Sequence, residues 1–250
     1  MEDPHAALEL MGVPIYDVTT EETVGWVTDW IAQGGPRQIA TVNPEFLMRA
    51  RGDPGFISVL RKAALCIPDG YGVVWAARLR GHPVRERVAG SDLVPRLAEE
   101  ASTRGWRVYF LGAAPGVAER TARILSERNP GLEIAGCYAG SPAVEEELAI
   151  TERIRQSRAD LLLVAYGAPN QDLWLSRNLG RTGAAVGIGV GGSFDFIVGV
   201  SRRAPRWIQA IGLEWLHRLI REPKRWRRQL ALPQFAFLVL LGHDEPNTVN

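Results

Sequence analysis

Cysteine is scarce in this sequence, because Cys66 and Cys137 are the only two among 250 residues. Two cysteines without metal-ligand spacing exclude a disulfide framework and a structural zinc site, and they favour a reducing compartment. Long apolar runs are also lacking, since none reaches the ~18 residues that a bilayer-spanning helix needs. The first residues are acidic and precede no apolar core, so we expect no signal peptide.

Motifs for metals and for common nucleotide cofactors are missing as well. The four histidines have no ligand spacing, and neither an Asp-x-Asp pair nor a Walker-type phosphate loop occurs. Gly187, Gly189 and Gly192 have the spacing of a dinucleotide-binding motif, but no further βαβ unit follows them. We therefore expect no metal and no cofactor, although an NAD-dependent dehydrogenase stays open as a rival interpretation.

The sequence does contain a regular alternation of strand-like and helix-like segments. With 46% hydrophobic and 23% charged residues, the chain can bury a sizeable core. From about residue 13 to residue 197, short apolar stretches alternate with helical patterns of about 10–15 residues, which is typical of βαβ units and a parallel sheet. The fold class predicted is therefore α/β, with a catalytic or binding domain over residues 1–197.

Residues 198–250 differ in composition and predict a helical appendage. Residues 201–230 carry nine basic side chains against two acidic ones, and Trp207, Trp215 and Trp226 lie among them. Such a segment favours an anionic partner, either a phosphate, a nucleic acid or a membrane headgroup, although a solvated charged face stays open. The body has no basic surplus and no nucleic-acid motif, so we expect no nucleic-acid partner. The apolar run over residues 235–241 is too short to span a bilayer but long enough to enter its surface.

Turns with polar or small residues follow several predicted strands. The strand-like residues 63–65 lead into Pro68-Asp69-Gly70, which places a carboxylate in a tight turn before a helix. Such a turn alone is common, and any tight turn can require glycine. The carboxyl ends of parallel strands form one edge, however, and glycine turns there suit an anion such as a pyrophosphate. Together the turns favour a nucleotide or sugar-phosphate site; they lie at residues 41–44, 68–70, 112–116, 167–171 and 191–195.

Ordered motifs over residues 8–230 resemble the WecG/TagA/CpsF family of bacterial glycosyltransferases, which is glycosyltransferase family 26. One departure is Asn170-Gln171-Asp172, where the family usually has Lys-Gln-Glu, which puts the role of the neighbours of Gln171 in doubt. The motifs are Thr41-Val42-Asn43-Pro44-Glu45, Ile67-Pro68-Asp69-Gly70, Glu86-Arg87-Val88-Ala89-Gly90-Ser91-Asp92, Leu111-Gly112, Gly167-x-Pro169-x-Gln171, Gly189-Val190-Gly191-Gly192-Ser193-Phe194-Asp195, Arg203-Ala204-Pro205 and Glu214-Trp215-x-x-Arg218-x-x-x-Glu222-Pro223-x-Arg225.

This resemblance implies a Rossmann-like, mostly parallel sheet flanked by helices, with a C-terminal appendage that meets the membrane. It implies an inverting, metal-independent transfer of a sugar from a UDP-sugar to a polyprenyl-diphosphate-linked N-acetylglucosamine. The sugar would be N-acetylmannosamine, with its uronic acid or glucose as alternatives. The protein would lie in the cytoplasm on the inner face of the bacterial membrane, and dimers or trimers occur in the family. A non-catalytic nucleotide- or lipid-binding protein is the alternative outside the enzymes.

The resemblance also assigns roles to residues of this sequence. Asp69 would be the general base, and Thr41, Asn43, Gln171 and Arg87 would complete the catalytic set. Substrate binding would fall to the residues Gly112, Gly167, Gly191, Gly192, Asp195, Arg218, Arg221 and Arg225. The last three, on the appendage, would face the diphosphate of the leaving UDP.

Overall fold

The computed structural model describes residues 6–201, 204, 205, 208, 213–221 and 226–242. Its centre is a six-stranded sheet in the order β4-β3-β8-β7-β5-β6, and every neighbouring pair is parallel. The strands are β3 Arg37–Val42, β4 Leu65–Pro68, β5 Arg107–Gly112, β6 Glu133–Tyr138, β7 Leu161–Ala165 and β8 Val186–Gly189. The predicted α/β class and Rossmann-like parallel sheet are confirmed.

Helices cover both faces of this sheet. The helices of the first 200 residues are α1 Thr20–Gln33, α2 Pro44–Arg51, α3 Pro54–Lys62, α4 Tyr71–Leu79, α5 Gly90–Arg104, α6 Val117–Arg128, α7 Val144–Ser157, α8 Asn170–Thr182 and α9 Ser193–Ile197. Alternate strand residues face opposite sides, so that Ile39 packs towards α1 and α5 whereas Ala40 packs towards α2 and α3. Burial on both faces explains why the strands are apolar throughout.

The starts of α1 and α2 follow from their first residues. Thr19 and Glu22 form a reciprocal capping box on α1. Asn43 precedes Pro44, and its side-chain oxygen accepts a hydrogen bond of 3.1 Å from the backbone N–H of Phe46. The cap of α2 therefore fixes a polar side chain at the carboxyl end of β3.

Three local features differ from the sequence-based expectation. A strand β1, Ala6–Leu10, pairs antiparallel with β2, Val13–Tyr16, and helix α3 fills the segment before β4. The strand expected at residues 63–65 begins instead at Leu65. The backbone N–H of Ala63 still bonds to the carbonyl groups at the end of α3, so Ala63 belongs to the helix terminus.

The C-terminal segment contains α10 Glu214–Arg221, α11 Trp226–Gln229 and α12 Ala231–Leu240. The predicted helical appendage, residues 198–250, falls partly outside the described residues. Phe235 and Val239 on α12 are buried against α2 and α4, whereas Phe237 is 61% exposed. One face of the apolar run thus belongs to the core, and its opposite face is exposed. No described helix has the length and apolar character to cross a bilayer.

Candidate active site

A polar cleft of about 420 Å³ opens at the carboxyl edge of the sheet, where β3, β4, β7 and β8 end. The predicted boundary at residue 197 stays a prediction, yet residues from beyond it, including Glu214, Trp215 and Gln229, form part of the wall. Nine residues expected from the sequence line the cleft, namely Thr41, Asn43, Asp69, Arg87, Gly167, Gln171, Gly191, Gly192 and Asp195. The structure therefore brings these residues together, while their individual roles stay predictions.

Asp69 stands directly after β4, in a turn that ties two strand ends together. Its backbone N–H donates to the carbonyl of Val42 at 2.7 Å, which anchors the turn to β3. One carboxylate oxygen lies 3.4 Å from the backbone N–H of Gly90, at the start of α5. The side chain is only half-buried, so the backbone is held firmly while the carboxylate faces the cleft.

Glycines let α2 and α4 begin side by side at this point. Gly70 has φ of 117°, a conformation that residues with a side chain rarely adopt. A Cβ atom on Gly72 would lie 2.6 Å from the ring of Pro44, so a larger residue would push the two helix starts apart. This close approach places Asn43 beside the Asp69 turn.

Thr41 and Gln171 act as supports for the turn after β8. The Thr41 hydroxyl donates to the carbonyl of Gly189 at 2.8 Å, and the Gln171 side-chain oxygen accepts from the N–H of Gly191 at 2.9 Å. Both side chains are almost fully buried. Since the Thr41 proton is already donated, its oxygen can only accept a hydrogen bond from a ligand. These two residues thus have a structural function, and the expected orientation of the sugars by them stays a prediction.

Arg87 connects the body of the protein to α10. Its guanidinium lies 3.0 Å from the carboxylate of Glu214 and stacks over the ring of Tyr71, 4.8 Å from the ring centre. Asp92 is more distant, at 3.8 Å. The side chain of Arg87 is 14% exposed, so the ion pair with Glu214 is shielded from water and stronger than a surface pair. The pair holds the start of α10 at the rim of the cleft.

Several predicted binding residues are not in the wall of the cleft. Gly112 ends β5 and does not line the cleft, and a Cβ atom there would lie 2.9 Å from the backbone of Ala165, so close packing requires a glycine. Its expected substrate contact stays a prediction. Arg221 is exposed at the end of α10 and also does not line the cleft. The side chain of Arg218, together with Arg225 and Trp207, lies outside what the structure describes.

Several residues of the wall were not expected from the sequence. Tyr71, Tyr166 and Gln229 line the cleft beside Glu45, which stands in the motif Asn43-Pro44-Glu45. Gln229 is buried, and its side-chain oxygen has no hydrogen-bond partner among the described residues. The motif could have pointed to Glu45, whereas no sequence signal marked Gln229.

Asp172 lies directly beneath this site. It is fully buried, and neither of its carboxylate oxygens has a hydrogen-bond partner of normal geometry within the described part of the chain. Burial raises the pKa of Asp172 to about 7, and the nearby amides of Gln171 and Gln38 oppose this rise only in part. The buried thiol of Cys66 is the titratable group beside it, and its own pKa is raised by burial and by Asp172. Asp172 is therefore largely protonated in mildly acidic solution.

We expect Asp172→Asn to stabilise the protein by an amount that depends on pH. Between about pH 4 and pH 7 the unfolded chain releases the Asp172 proton while the folded protein keeps it. As the pH rises through this range, Asp172 therefore lowers the unfolding free energy of the wild type by about 1.4 kcal/mol per pH unit. The Asp172→Asn variant has no such loss. Urea unfolding of both proteins from pH 4.5 to pH 8.5 should show a difference that widens up to about pH 7 and then stays level. A difference independent of pH would contradict a buried neutral acid.

The described residues contain no group of three or more His, Cys, Asp or Glu side chains that could hold a metal ion. Cys66 and Cys137 are both free thiols, and burial raises the pKa of Cys137 to about 11. The chemistry available in the cleft is that of carboxylates, amides, an arginine and backbone N–H groups at helix starts. Such a set can bind a phosphorylated sugar and remove a proton from a hydroxyl group.

A parallel α/β sheet with a polar cleft at its carboxyl edge is typical of proteins that bind nucleotides or sugar phosphates. The family model for the "Glycosyl transferase WecG/TagA/CpsF family" matches residues 8–246. The chain belongs to this family, and it is a glycosyltransferase.

Two curated relatives carry the name N-acetylglucosaminyldiphosphoundecaprenol N-acetyl-beta-D-mannosaminyltransferase. The protein from Bacillus spizizenii is 37% identical over 213 residues, which is 85% of this chain and 82% of the relative. The protein from Bacillus subtilis is 35% identical over 210 residues, which is 84% of this chain and 81% of the relative. The resemblance inferred from the sequence motifs is confirmed.

Proposed function

We propose that this enzyme transfers N-acetylmannosamine from a UDP-sugar to N-acetylglucosamine linked to a polyprenyl diphosphate, in the synthesis of a cell-surface polysaccharide. The names of the two relatives give both the sugar and the lipid-linked acceptor of those proteins. The observation in this chain that carries the proposal is the carboxylate of Asp69, anchored at the strand edge and open to the cleft. N-acetylmannosaminuronic acid and glucose are the alternative donor sugars.

The transfer would proceed by a single displacement that inverts the anomeric carbon. A hydroxyl oxygen of the acceptor sugar attacks the anomeric carbon, and Asp69 takes up the hydroxyl proton. The bond from the anomeric carbon to the phosphate oxygen breaks, and its electron pair leaves with UDP. A positioned general base of this kind contributes about 10²–10⁴-fold to the rate.

The diphosphate of the donor would be bound by protein groups without a divalent ion. The starts of α2 and α4 bring the positive ends of two helix dipoles to the cleft, and Gly167, Gly191 and Gly192 let the backbone approach an anion. Arg87 and the appendage arginines would stabilise the charge that grows on the leaving UDP. Asp195 would accept a hydrogen bond from a sugar hydroxyl. We expect activity to be insensitive to chelators.

The C-terminal segment would dock the enzyme on the inner face of the cell membrane, where a polyprenyl acceptor stays. Near an anionic leaflet each basic residue contributes roughly 1 kcal/mol. Exposed apolar side chains, including Ile220, Trp226 and Phe237, are available for the membrane surface. A homo-oligomer, as in other family members, is also part of this proposal.

Replacement of Arg221 by alanine tests whether the appendage takes part in catalysis or only anchors the enzyme to the membrane. If α10 moves over the cleft when substrates bind, Arg221 reaches the leaving diphosphate, and Arg221→Ala should lower turnover about 10²-fold. The assay uses a water-soluble acceptor analogue, with which membrane docking has no influence. A variant that is normal with the soluble acceptor but defective on anionic vesicles would show that Arg221 only anchors.

Calorimetry distinguishes the proposed function from its rivals. The purified protein should bind UDP in the presence of a chelator and should not bind NAD. Binding of NAD without binding of UDP would favour the dehydrogenase instead. UDP binding without transfer in a screen of UDP-sugars against a lipid-linked acceptor would favour a non-catalytic binding protein.

A further inference from the structure

A second cavity of about 410 Å³ lies beside the active-site cleft, between α2 and the start of α12. Met48 and Arg49 on α2 face Leu230, Ala231 and Gln234 across it. On α2 the lining positions are spaced three and four residues apart, so they form one helix face. No residue of this groove belongs to the set that the family resemblance assigned.

The groove is continuous with the active-site cleft. Glu45 and Ala168 line both cavities, and Gln229 and Leu232 line the cleft while Leu230 lines the groove. A molecule whose sugar reaches Asp69 can therefore extend into the groove without crossing the body of the protein.

The chemistry of the groove suits an amphiphile with an anionic group. Its walls are largely apolar, with Met48, Ala168, Leu230 and Ala231, and Arg49 is the cation among the described residues that line it. Arginine binds phosphate oxygens through paired N–H donors. Glu45 stands at the junction of the groove and the cleft. The anionic group is expected near Arg49, because the guanidinium supplies the positive charge of the described groove wall.

An exposed apolar stripe leads out of the groove along α12. The stripe consists of Leu230, Phe237 and Leu241, with the polar Gln234 between the first two. These positions are spaced four, three and four residues apart, which places them on one helix face. Leu230, Phe237 and Leu241 are each about half or more exposed, while Phe235 and Val239 on another face fix the helix to the core. A hydrocarbon chain leaving the groove can follow this stripe to the membrane.

We propose that the groove between α2 and α12 binds the diphosphate and the first isoprene units of the lipid-linked acceptor, with Arg49 on the diphosphate and the α12 stripe along the chain. This inference rests on the proposed function for the identity of the ligand. It adds a binding site for the lipid portion of the acceptor, separate from the cleft that binds the two sugars.

The substitution Ala231→Trp, which fills the groove, tests whether the groove binds the isoprenoid chain of the acceptor. Transfer is measured in detergent micelles, so that membrane docking plays no part, with two acceptors that carry either an undecaprenyl or a short alkyl diphosphate. The ratio of the KM for the long acceptor to the KM for the short one should rise about tenfold, as expected when several buried methylene groups lose their contacts. An unchanged ratio would show that the isoprenoid chain does not bind in the groove.

The substitution Arg49→Gln tests whether Arg49 binds the diphosphate of the acceptor, and Arg51→Gln is the matched control. Arg51 is exposed at the end of the same helix and lines neither cavity. Arg49→Gln should raise the KM of both acceptors about tenfold or more, because a charge-assisted hydrogen bond is lost. Arg51→Gln should leave both values near those of the wild type. Equal effects of the two substitutions would remove Arg49 from the proposed site.

A binding measurement keeps this inference separate from the proposed function. Farnesyl diphosphate, a soluble isoprenoid diphosphate, should bind to the wild type and to Arg51→Gln with the same affinity. Its affinity should be at least about fivefold lower for Arg49→Gln and for Ala231→Trp. If the wild type transfers sugar but the groove variants bind farnesyl diphosphate normally, the groove assignment is wrong and the proposed function stands. If the predicted binding pattern holds without any sugar transfer, the proposed function is wrong and the groove assignment stands.

Discussion

Replacement of Asp69 by asparagine is expected to lower the turnover number about 10²–10⁴-fold, because the acceptor hydroxyl then loses its general base. The affinity for UDP should stay near that of the wild type, since asparagine has the same size and the turn is held by backbone hydrogen bonds. Steady-state transfer assays give the turnover number, and calorimetry gives the UDP affinity. The combination of lost turnover and retained binding is specific for a residue that acts on the chemical step.

Asp195→Asn serves as the matched control, because Asp195 is another carboxylate in the wall of the same cleft. As a proposed ligand for a sugar hydroxyl, it should mainly raise the KM for the donor. Turnover of Asp69→Asn within threefold of the wild type would rule out Asp69 as the base. A larger loss for Asp195→Asn than for Asp69→Asn would transfer the catalytic role to Asp195.

Replacement of Arg87 by alanine is expected to lower kcat/KM for the donor roughly 10²–10³-fold, which is the usual effect of removing a donor that stabilises developing charge. Two consequences combine in this variant. The cleft loses a cation, and the carboxylate of Glu214, now without the guanidinium at 3.0 Å, faces an anionic substrate. Kinetics with varied UDP-sugar measure the effect.

Arg85→Ala is the control for Arg87, since Arg85 is two residues away but pairs with Asp17 and Glu22 on an exposed surface. It should change activity by less than about twofold, as exposed ion pairs contribute little. In a double-mutant cycle, the loss caused by Arg87→Ala should be smaller when Glu214 is already alanine, because the ion pair between the two side chains is then already absent. Equal activity of Arg87→Ala and Arg85→Ala would show that Arg87 has no part in the reaction.

The sequence predicted most of the sheet because its strands are short apolar runs that end in recognisable turns. The Asp69 turn, the Asn43 cap and the glycines after β7 and β8 each follow a buried strand. In a parallel sheet all these strand ends lie on one edge. Turns that are far apart in the sequence therefore lie close together and line one cleft.

Features that depend on strand order could not be predicted in this way. The turn after β5 looked equivalent to the others, but β5 lies outside the strands that border the cleft, and Gly112 packs against Ala165. Asp172 follows Gln171 directly, and only the packing of α8 against β3 and β8 shows that its carboxyl group is buried beneath the site. Sequence spacing places residues on an element, whereas the neighbours of that element decide their environment.

The C-terminal segment shows the same limit. Its composition predicted a basic surface that docks on a membrane, which stays a prediction, and the structure shows that apolar side chains such as Phe237 are exposed. The composition did not reveal that Phe235 and Val239 pack into the core, or that Glu214 pairs with Arg87. Both contacts join residues far apart in sequence, and together they place α10 and α12 next to the cleft.

The most direct test of the central claim is the structure of the product formed by the purified enzyme. UDP-N-acetylmannosamine and undecaprenyl-diphosphate-linked N-acetylglucosamine are incubated with the enzyme and a chelator, and the lipid product is examined by mass spectrometry and NMR. We predict a single added N-acetylmannosamine in β linkage, formed at the same rate with the chelator as without it. An α-linked product, or an acceptor left unchanged with every UDP-sugar offered, would contradict the account.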